Sequence, residues 1–222
     1  MTVKLFVLGL PGSGKSTIAR EIAKNIDNRG LENIRINDYA ILEQMFHDDV
    51  ERKKFRPADY GGFDVIDLAV IDAALEQLEQ SVQYLISYKS EMVILIEFSR
   101  DDYRRAFKLF SEAFLQDAYF LYLDTEFETC KKRIRNRIDS PSYDDDYYVS
   151  EYIFDTYYHN DDGKCLSQIL INEYGIDKQH IRGIDNNSSL EEALRKITPF
   201  VDMIIDLKSA DQNAIAQPEA VS

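Results

Sequence analysis

The sequence predicts an α/β protein built on a parallel β-sheet with helices over both faces. Three observations lead there. Val3–Gly9, Met92–Phe98 and Ala118–Asp124 are apolar almost throughout rather than alternating, which marks strands buried on both faces. Segments with apolar residues at helical spacing stand between these runs. A chain of 222 residues suits one good-sized domain of this kind rather than two.

Taken in order, the first strand, Val3–Gly9, leads into a helix over Ser16–Arg29. Ile18, Ile22 and Ile26 recur there at four-residue spacing, and Gly30 ends it. A short second strand follows at Asn33–Asp38. The stretch Tyr39–Glu91 is mostly helical in pattern, interrupted at Phe55–Asp64, with a long helix expected from Phe63 to Tyr88 carrying Ile66, Val70, Ala73 and Leu78. Met92–Phe98 and Ala118–Asp124 supply the third and fourth strands. Glu126–Ile138 is helical, with Phe127, Cys130, Ile134 and Ile138 on one stripe. His180–Asp185 reads as the last strand, and Ser188 with Glu191 forms a capping box for a final helix with Leu190, Leu194, Ile197 and Val201. The domain is expected to span residues 1–207. Lys208–Ser222 lacks periodicity and reads as a disordered tail.

Composition narrows the partners. A net charge of −14 repels polynucleotides and anionic membranes at long range, so an anionic ligand needs local donors. No run of apolar residues is long enough to span a membrane. The N-terminus enters a strand directly, without a basic region or cleavage site, so no signal peptide is expected. Cys130 and Cys165 lack metal-site spacing and read as buried thiols of a reducing cytoplasm. His47, His159 and His180 stand far apart, which argues against a histidine metal site.

Local donors are concentrated in Gly9-Leu-Pro-Gly-Ser-Gly-Lys-Ser16, which fits the Walker A pattern G-x-x-x-x-G-K-[ST] between a strand and a helix. Glycines let successive N–H groups turn inward to form an anion nest. The helix that follows adds its unsatisfied N–H groups and positive dipole end. Lys15 brings a charge to the β- and γ-phosphates, and the Ser16 hydroxyl can ligate Mg²⁺. Gly12, Ser13, Gly14, Lys15, Ser16 and Thr17 are therefore the expected contacts of a triphosphate.

The wording GLPGSGKST, within this order of elements from Lys4 to about Ile205, resembles the P-loop kinases of the adenylate-kinase-like group. The resemblance implies a P-loop NTPase fold with a five-stranded parallel sheet ordered 2-3-1-4-5. It also implies ATP and Mg²⁺ as cofactors, a small-molecule or nucleotide acceptor, and a lid over about 138–165. In that family a helix before the lid carries two arginines four apart, and Arg133 and Arg137 match that spacing on one helix face. Arg133 would then stack on adenine and Arg137 would neutralise the transferring phosphoryl group, unless the pair belongs to a solvated basic face. Glu97 and Arg100, at the end of the third strand, match in type an acidic residue near the metal or acting as base, and an arginine that grips the acceptor. Asp38 ends the second strand where several such kinases hold a carboxylate that takes the acceptor's proton, or else it caps the next helix. Arg56, in a cluster with Arg52, Lys53 and Lys54, stands at the acceptor position and suggests an anionic acceptor.

The expected lid departs from the family. Residues 138–181 hold no arginine and are rich in aspartate and tyrosine. They suit a neutral or cationic acceptor, a partner surface, or a helix packing its tyrosines on the core. Two rival readings follow: a nucleotide-binding regulatory ATPase without a small-molecule acceptor, and a polynucleotide 5′-kinase, which the net charge opposes.

Overall fold

A computed structural model describes residues 2–58, 62–89, 91–139, 149–159 and 162–215. The chain runs through β1 (Val3–Leu8), α1 (Lys15–Asn28), β2 (Asn33–Asn37), α2 (Asp38–Asp48), β3 (Phe55–Pro57), β4 (Phe63–Val65), α3 (Ala69–Tyr88) and β5 (Val93–Phe98). It continues through α4 (Tyr103–Phe107), α5 (Glu112–Gln116), β6 (Ala118–Asp124), α6 (Phe127–Asp139), α7 (Glu151–Tyr157), α8 (Leu166–Tyr174), β7 (Ile181–Asp185) and α9 (Leu190–Ile215).

Five strands pair in parallel in the order β2-β5-β1-β6-β7. With the separate β3–β4 hairpin set aside, this is the expected 2-3-1-4-5 order. Side chains alternate across each strand, so β1 divides its residues between two cores. Phe6 and Leu8 join Ile94, Ile96 and Phe120 beneath α3, α4, α5 and α8. Val3, Leu5 and Val7 join Leu95, Leu121 and Leu123 beneath α1 and α9. Phe6 centres the first core, stacked on Phe120 at 5.0 Å and edge-on to Phe98, Phe107, Phe110 and Phe114. No helix among the described residues is long and apolar enough to cross a membrane.

Three expectations need correction. The long helix begins at Ala69 rather than Phe63, because Phe63 belongs to the antiparallel β3–β4 hairpin. The Asp49 carboxylate accepts from the N–H groups of Lys53, Lys54 and Phe55, at 3.2, 2.8 and 2.9 Å, and so fixes the start of that hairpin. Ile66 and Ala73 are exposed, and the buried stripe of α3 is Val70, Ile71, Ala74, Leu75, Leu78 and Val82. The final helix is capped one residue later than expected: Ser189 Oγ accepts from Glu192 N–H at 3.3 Å, and Leu190 is exposed. Its buried face is Ala193, Ile197, Phe200, Val201, Ile204 and Ile205.

α9 continues to Ile215, past the point where the sequence pattern ends. The remainder of the expected tail, 216–222, lies outside the described residues, as does the middle of the expected lid, 140–148.

Candidate active site

The phosphate-binding loop leaves the C-terminal end of β1, at the centre of the sheet, where ligands of open parallel sheets gather. Gly12 and Gly14 have φ of +80° and +95°, a region open to glycine. Space is as strict as conformation. A Cβ on Gly12 would lie 2.5 Å from Cys130 O, and one on Gly14 would lie 2.9 Å from Asn186 Nδ2. The loop is therefore pressed against α6 and the end of β7. Asn186 Nδ2 donates to Ser13 O at 2.6 Å, while Tyr103 OH accepts from Gly9 N–H at 2.9 Å. Ser13 is fully buried, and its Oγ has no hydrogen-bond partner among the described residues. A glycine-built cradle with an unmet hydroxyl fits a polyphosphate.

Lys15 opens α1 and turns back over the loop. Its Nζ donates to Gly9 O, Leu10 O and Ser99 Oγ at 3.0, 2.9 and 2.6 Å. Burial pushes its ammonium down to about 8, against the opposing pull of Glu97. Glu97, at the end of β5, is buried and pairs with Arg35 of β2 at 2.9 Å. Burial holds its carboxyl above the ordinary value, although Arg35, Lys15 and a hydrogen bond with Ser16 all favour its charged form. The Ser16 hydroxyl and the Glu97 carboxylate thus meet beside Lys15. Two hard oxygen donors next to a phosphate site suit Mg²⁺, which keeps several waters and takes few protein ligands.

From Lys15 and Ser16 a cleft extends past Asp38, Ser99 and Arg100 to Phe63 and Asp64. Asp38 and Arg100 form a buried pair, Arg100 Nη1 donating to Asp38 Oδ2 at 2.5 Å. The capping role falls to Asn37, whose Oδ1 accepts from Ala40 N–H at 2.9 Å, and this frees the Asp38 carboxylate for the cleft. α7 closes one side. Phe154 seats it against Phe127 of α6 at 4.5 Å, and Tyr157 and Tyr158 line the cleft. Burial raises both phenols well above their ordinary value.

The structure brings Lys15, Ser16, Asp38, Glu97, Arg100 and Arg137 together around this cleft. Arg137 is close enough for its charge to help lower the Lys15 pKa. Arg133 lies on the other side of the loop, donating to Asn186 O at 3.0 Å and Ser13 O at 3.5 Å. There, with Thr17, Arg20, Asn136 and Asn186, it lines a second cavity that reaches Gly12 and Gly14 and that Arg137 lines as well. Arg56 stands behind the lining, donating to Asp64 Oδ2 at 2.8 Å. The rest of the basic cluster disperses: Arg52 lies over the Phe46 ring, and Lys53 pairs with Glu51. Ser99, Arg35, Asp64 and Asn186 are site residues that sequence reasoning missed. Ser99, Arg35 and Asn186 act through partners distant in sequence, and Asp64 through Arg56, eight positions away across the hairpin; no local pattern marks them.

A P-loop at the C-terminal edge of a 2-3-1-4-5 sheet defines the P-loop NTPase fold. Residues 5–153 match the family model described as an AAA domain, and the chain belongs to that family. No curated protein matches it. Among solved structures it is similar to an unliganded sugar kinase from Janibacter sp. HTCC2649. The identity there is 16%, with 91% of this chain and 95% of that one covered and a TM-score of 0.50, a likeness of fold. A gluconokinase from Sinorhizobium meliloti 1021 matches at 12% identity, 94% and 97% coverage and a TM-score of 0.49.

Proposed function

We propose that the protein is an ATP-dependent kinase that moves the γ-phosphoryl group to the hydroxyl of a small molecule. The observation that carries this reading is one cleft lined by Lys15 and Ser16 together with the buried Asp38–Arg100 pair. Lys15 would exchange its loop carbonyl acceptors for β- and γ-phosphate oxygens. Ser16 and Glu97 would hold Mg²⁺. When bound, Mg²⁺ neutralises phosphate charge as the transferring group moves. Asp38 would be the base, since Glu97 and Ser16 are assigned to the metal. Arg137 meets charge that develops on the phosphoryl group, and Arg133 lies on the nucleotide-base side. Catalysis is then positioning and charge neutralisation around a preorganised cleft.

Cysteine usage supports the cytoplasm as its location: the sequence has two cysteines, and both Cys130, which is buried, and Cys165, which is exposed rather than buried as expected, are thiols. The sugar kinase of similar fold supports a small-molecule acceptor. The net charge of −14 opposes nucleic acid as the acceptor. Incubation with γ-labelled ATP and a metabolite panel tests the reading. Label should move to an organic acceptor in the native protein and not in Lys15→Ala. Release of label only as inorganic phosphate would favour the regulatory ATPase.

A further inference from the structure

The aspartate- and tyrosine-rich stretch contributes α7, whose aromatic residues divide into three settings. Phe154 is the anchor, 1% exposed in a small core with Leu10 of the phosphate loop, Cys130 and Ile134. Two ion pairs join the same helix to α6, Lys131 with Asp155 at 2.7 Å and Arg135 with Glu151 at 2.6 Å. Being exposed, they add little to that seat. Tyr152 is 67% exposed and lies outside the cleft. Tyr157 and Tyr158 line the cleft together with Asp38 and Arg100.

These last two tyrosines differ in what they hold. Tyr157 packs on another small core, that of Leu42, Phe55, Phe63, Val70 and Ile71, so α7 reaches from α6 to the hairpin side of the cleft. Its hydroxyl is engaged in a hydrogen bond with Asp101. Tyr158 ends the helix. Its ring packs on Phe154 at 5.9 Å, and its backbone N–H donates to Phe154 O at 3.2 Å, which fixes where the phenol stands. No described residue hydrogen-bonds the Tyr158 hydroxyl, although Arg100, Asp38 and Asp101 all act on it through their charge. Burial holds the phenol well above its ordinary value, so it stays protonated and offers an O–H donor. A ring fixed by packing, with its polar tip left for a partner, is how tyrosine serves a binding site.

We infer that Tyr158 is an acceptor-binding residue, its O–H donating to an oxygen of the acceptor in the same cleft as Asp38 and Arg100. This rests on the kinase reading and adds a residue to its acceptor side. It gives the tyrosine-rich stretch a task inside the site rather than at a partner surface. Where that stretch lacks arginine, a phenol supplies a directional hydrogen bond in place of a charge.

The test compares the native protein, Tyr158→Phe and Tyr152→Phe in transfer from γ-labelled ATP to a panel of hexoses, gluconate, ribonucleosides and their monophosphates. Phenylalanine keeps the ring and its packing and removes only the hydroxyl. For the compound that the native protein phosphorylates best, Tyr158→Phe should raise KM by about five- to tenfold, the effect of one lost hydrogen bond. The KM of ATP should stay within about threefold, and Tm within about 2 °C. Tyr152→Phe, on the same helix but outside the cleft, should match the native protein in every parameter. An acceptor KM raised less than about threefold in Tyr158→Phe overturns the inference and leaves the kinase reading standing. So does an equal rise in both KM values, or a larger fall in Tm, since either gives the hydroxyl a different task. Release of label only to water across the whole panel would remove the kinase reading and this inference with it.

Discussion

Arg100, only 4% exposed, donates to the Asp38 carboxylate at 2.5 Å, and so ties the end of β5 to the start of α2 across the floor of the cleft. Burying such a pair stabilises little in itself, yet removing one member leaves a charge with no partner. Arg100→Met should therefore destabilise the fold by about 3–5 kcal/mol. In a chain of this length that is a drop in Tm on the order of 10 °C. The double variant Asp38→Asn/Arg100→Met should recover part of that loss. Calorimetric melts check both, and a single-variant Tm within about 2 °C of native would mean that the pair is not held as described.

Asp38→Asn by itself separates stability from chemistry. The amide still accepts from Arg100 but cannot take a proton. Mg-ATP affinity should stay within about threefold, while kcat falls by the 10²–10⁴-fold typical of a lost general base. Titration calorimetry and steady-state rates on the same preparation decide it. An equal loss of ATP affinity would place Asp38 on the nucleotide side of the cleft.

Lys15 makes nucleotide binding depend on pH. With its folded-state value near 8, the amine is charged below that pH and neutral above it. A bound triphosphate favours the charged form, so log affinity for Mg-ATP should be level below pH 8 and fall towards one decade per pH unit above it. The stability linkage has the opposite sense. A lysine whose folded pKa is depressed costs stability below about 8, and the cost fades as pH rises from there towards 10.5. Lys15→Met should thus raise stability at pH 7 by on the order of 1–3 kcal/mol while sharply weakening Mg-ATP binding. A level affinity from pH 7 to 9.5 would show that Lys15 does not touch the phosphates.

The two arginines of α6 should give different kinetic signatures. Arg133 braces the loop carbonyl of Ser13 and lines the second cavity; if the nucleotide base binds there as proposed, ground and transition states share that contact. Arg133→Met should raise the KM for ATP and change kcat little. Arg137 lines the transfer cleft, and Arg137→Met should lower kcat by up to about 10³-fold. If both variants lose less than about threefold in every parameter, the pair is a solvated basic face.

Gly12→Ala probes the packing behind the loop. The new Cβ would sit 2.5 Å from Cys130 O at a φ of +80°, so α6 or the loop must shift. Mg-ATP affinity should fall at least tenfold, with a loss of stability of about 1–3 kcal/mol. Native affinity in this variant would show that the loop and α6 are not in contact as described.

Much of this protein is written in short, contiguous stretches. β1, β5 and β6 are legible because each is an apolar run of local origin, the shorter and more polar β2 and β7 by their place in the alternation, and the phosphate loop because its glycines, lysine and hydroxyl sit side by side between a strand and a helix. Capping was legible only approximately. Ser188 and Ser189 offer the same chemistry, and the final helix uses the second. Phe63 was misplaced because a hairpin of three-residue strands leaves too few positions for a period, and its aromatic contacts with Phe46 and Phe55 come from other elements.

What the sequence by itself determined is the alternation of elements and the phosphate nest, since both follow from backbone conformation and hydrophobic spacing within a few residues. Only the tertiary structure decided which groups complete the site. Ser99 meets Lys15 from 84 positions away, Arg100 meets Asp38 from 62, and Asn186 meets Ser13 from 173. Those pairings exist because the sheet order sets the ends of β2 and β5 beside the loop, with the end of β7 pressed against its other side. Hydrogen bonds and charges act at ångström range, so their partners are chosen by which strand ends lie side by side, and no local run of residues encodes that.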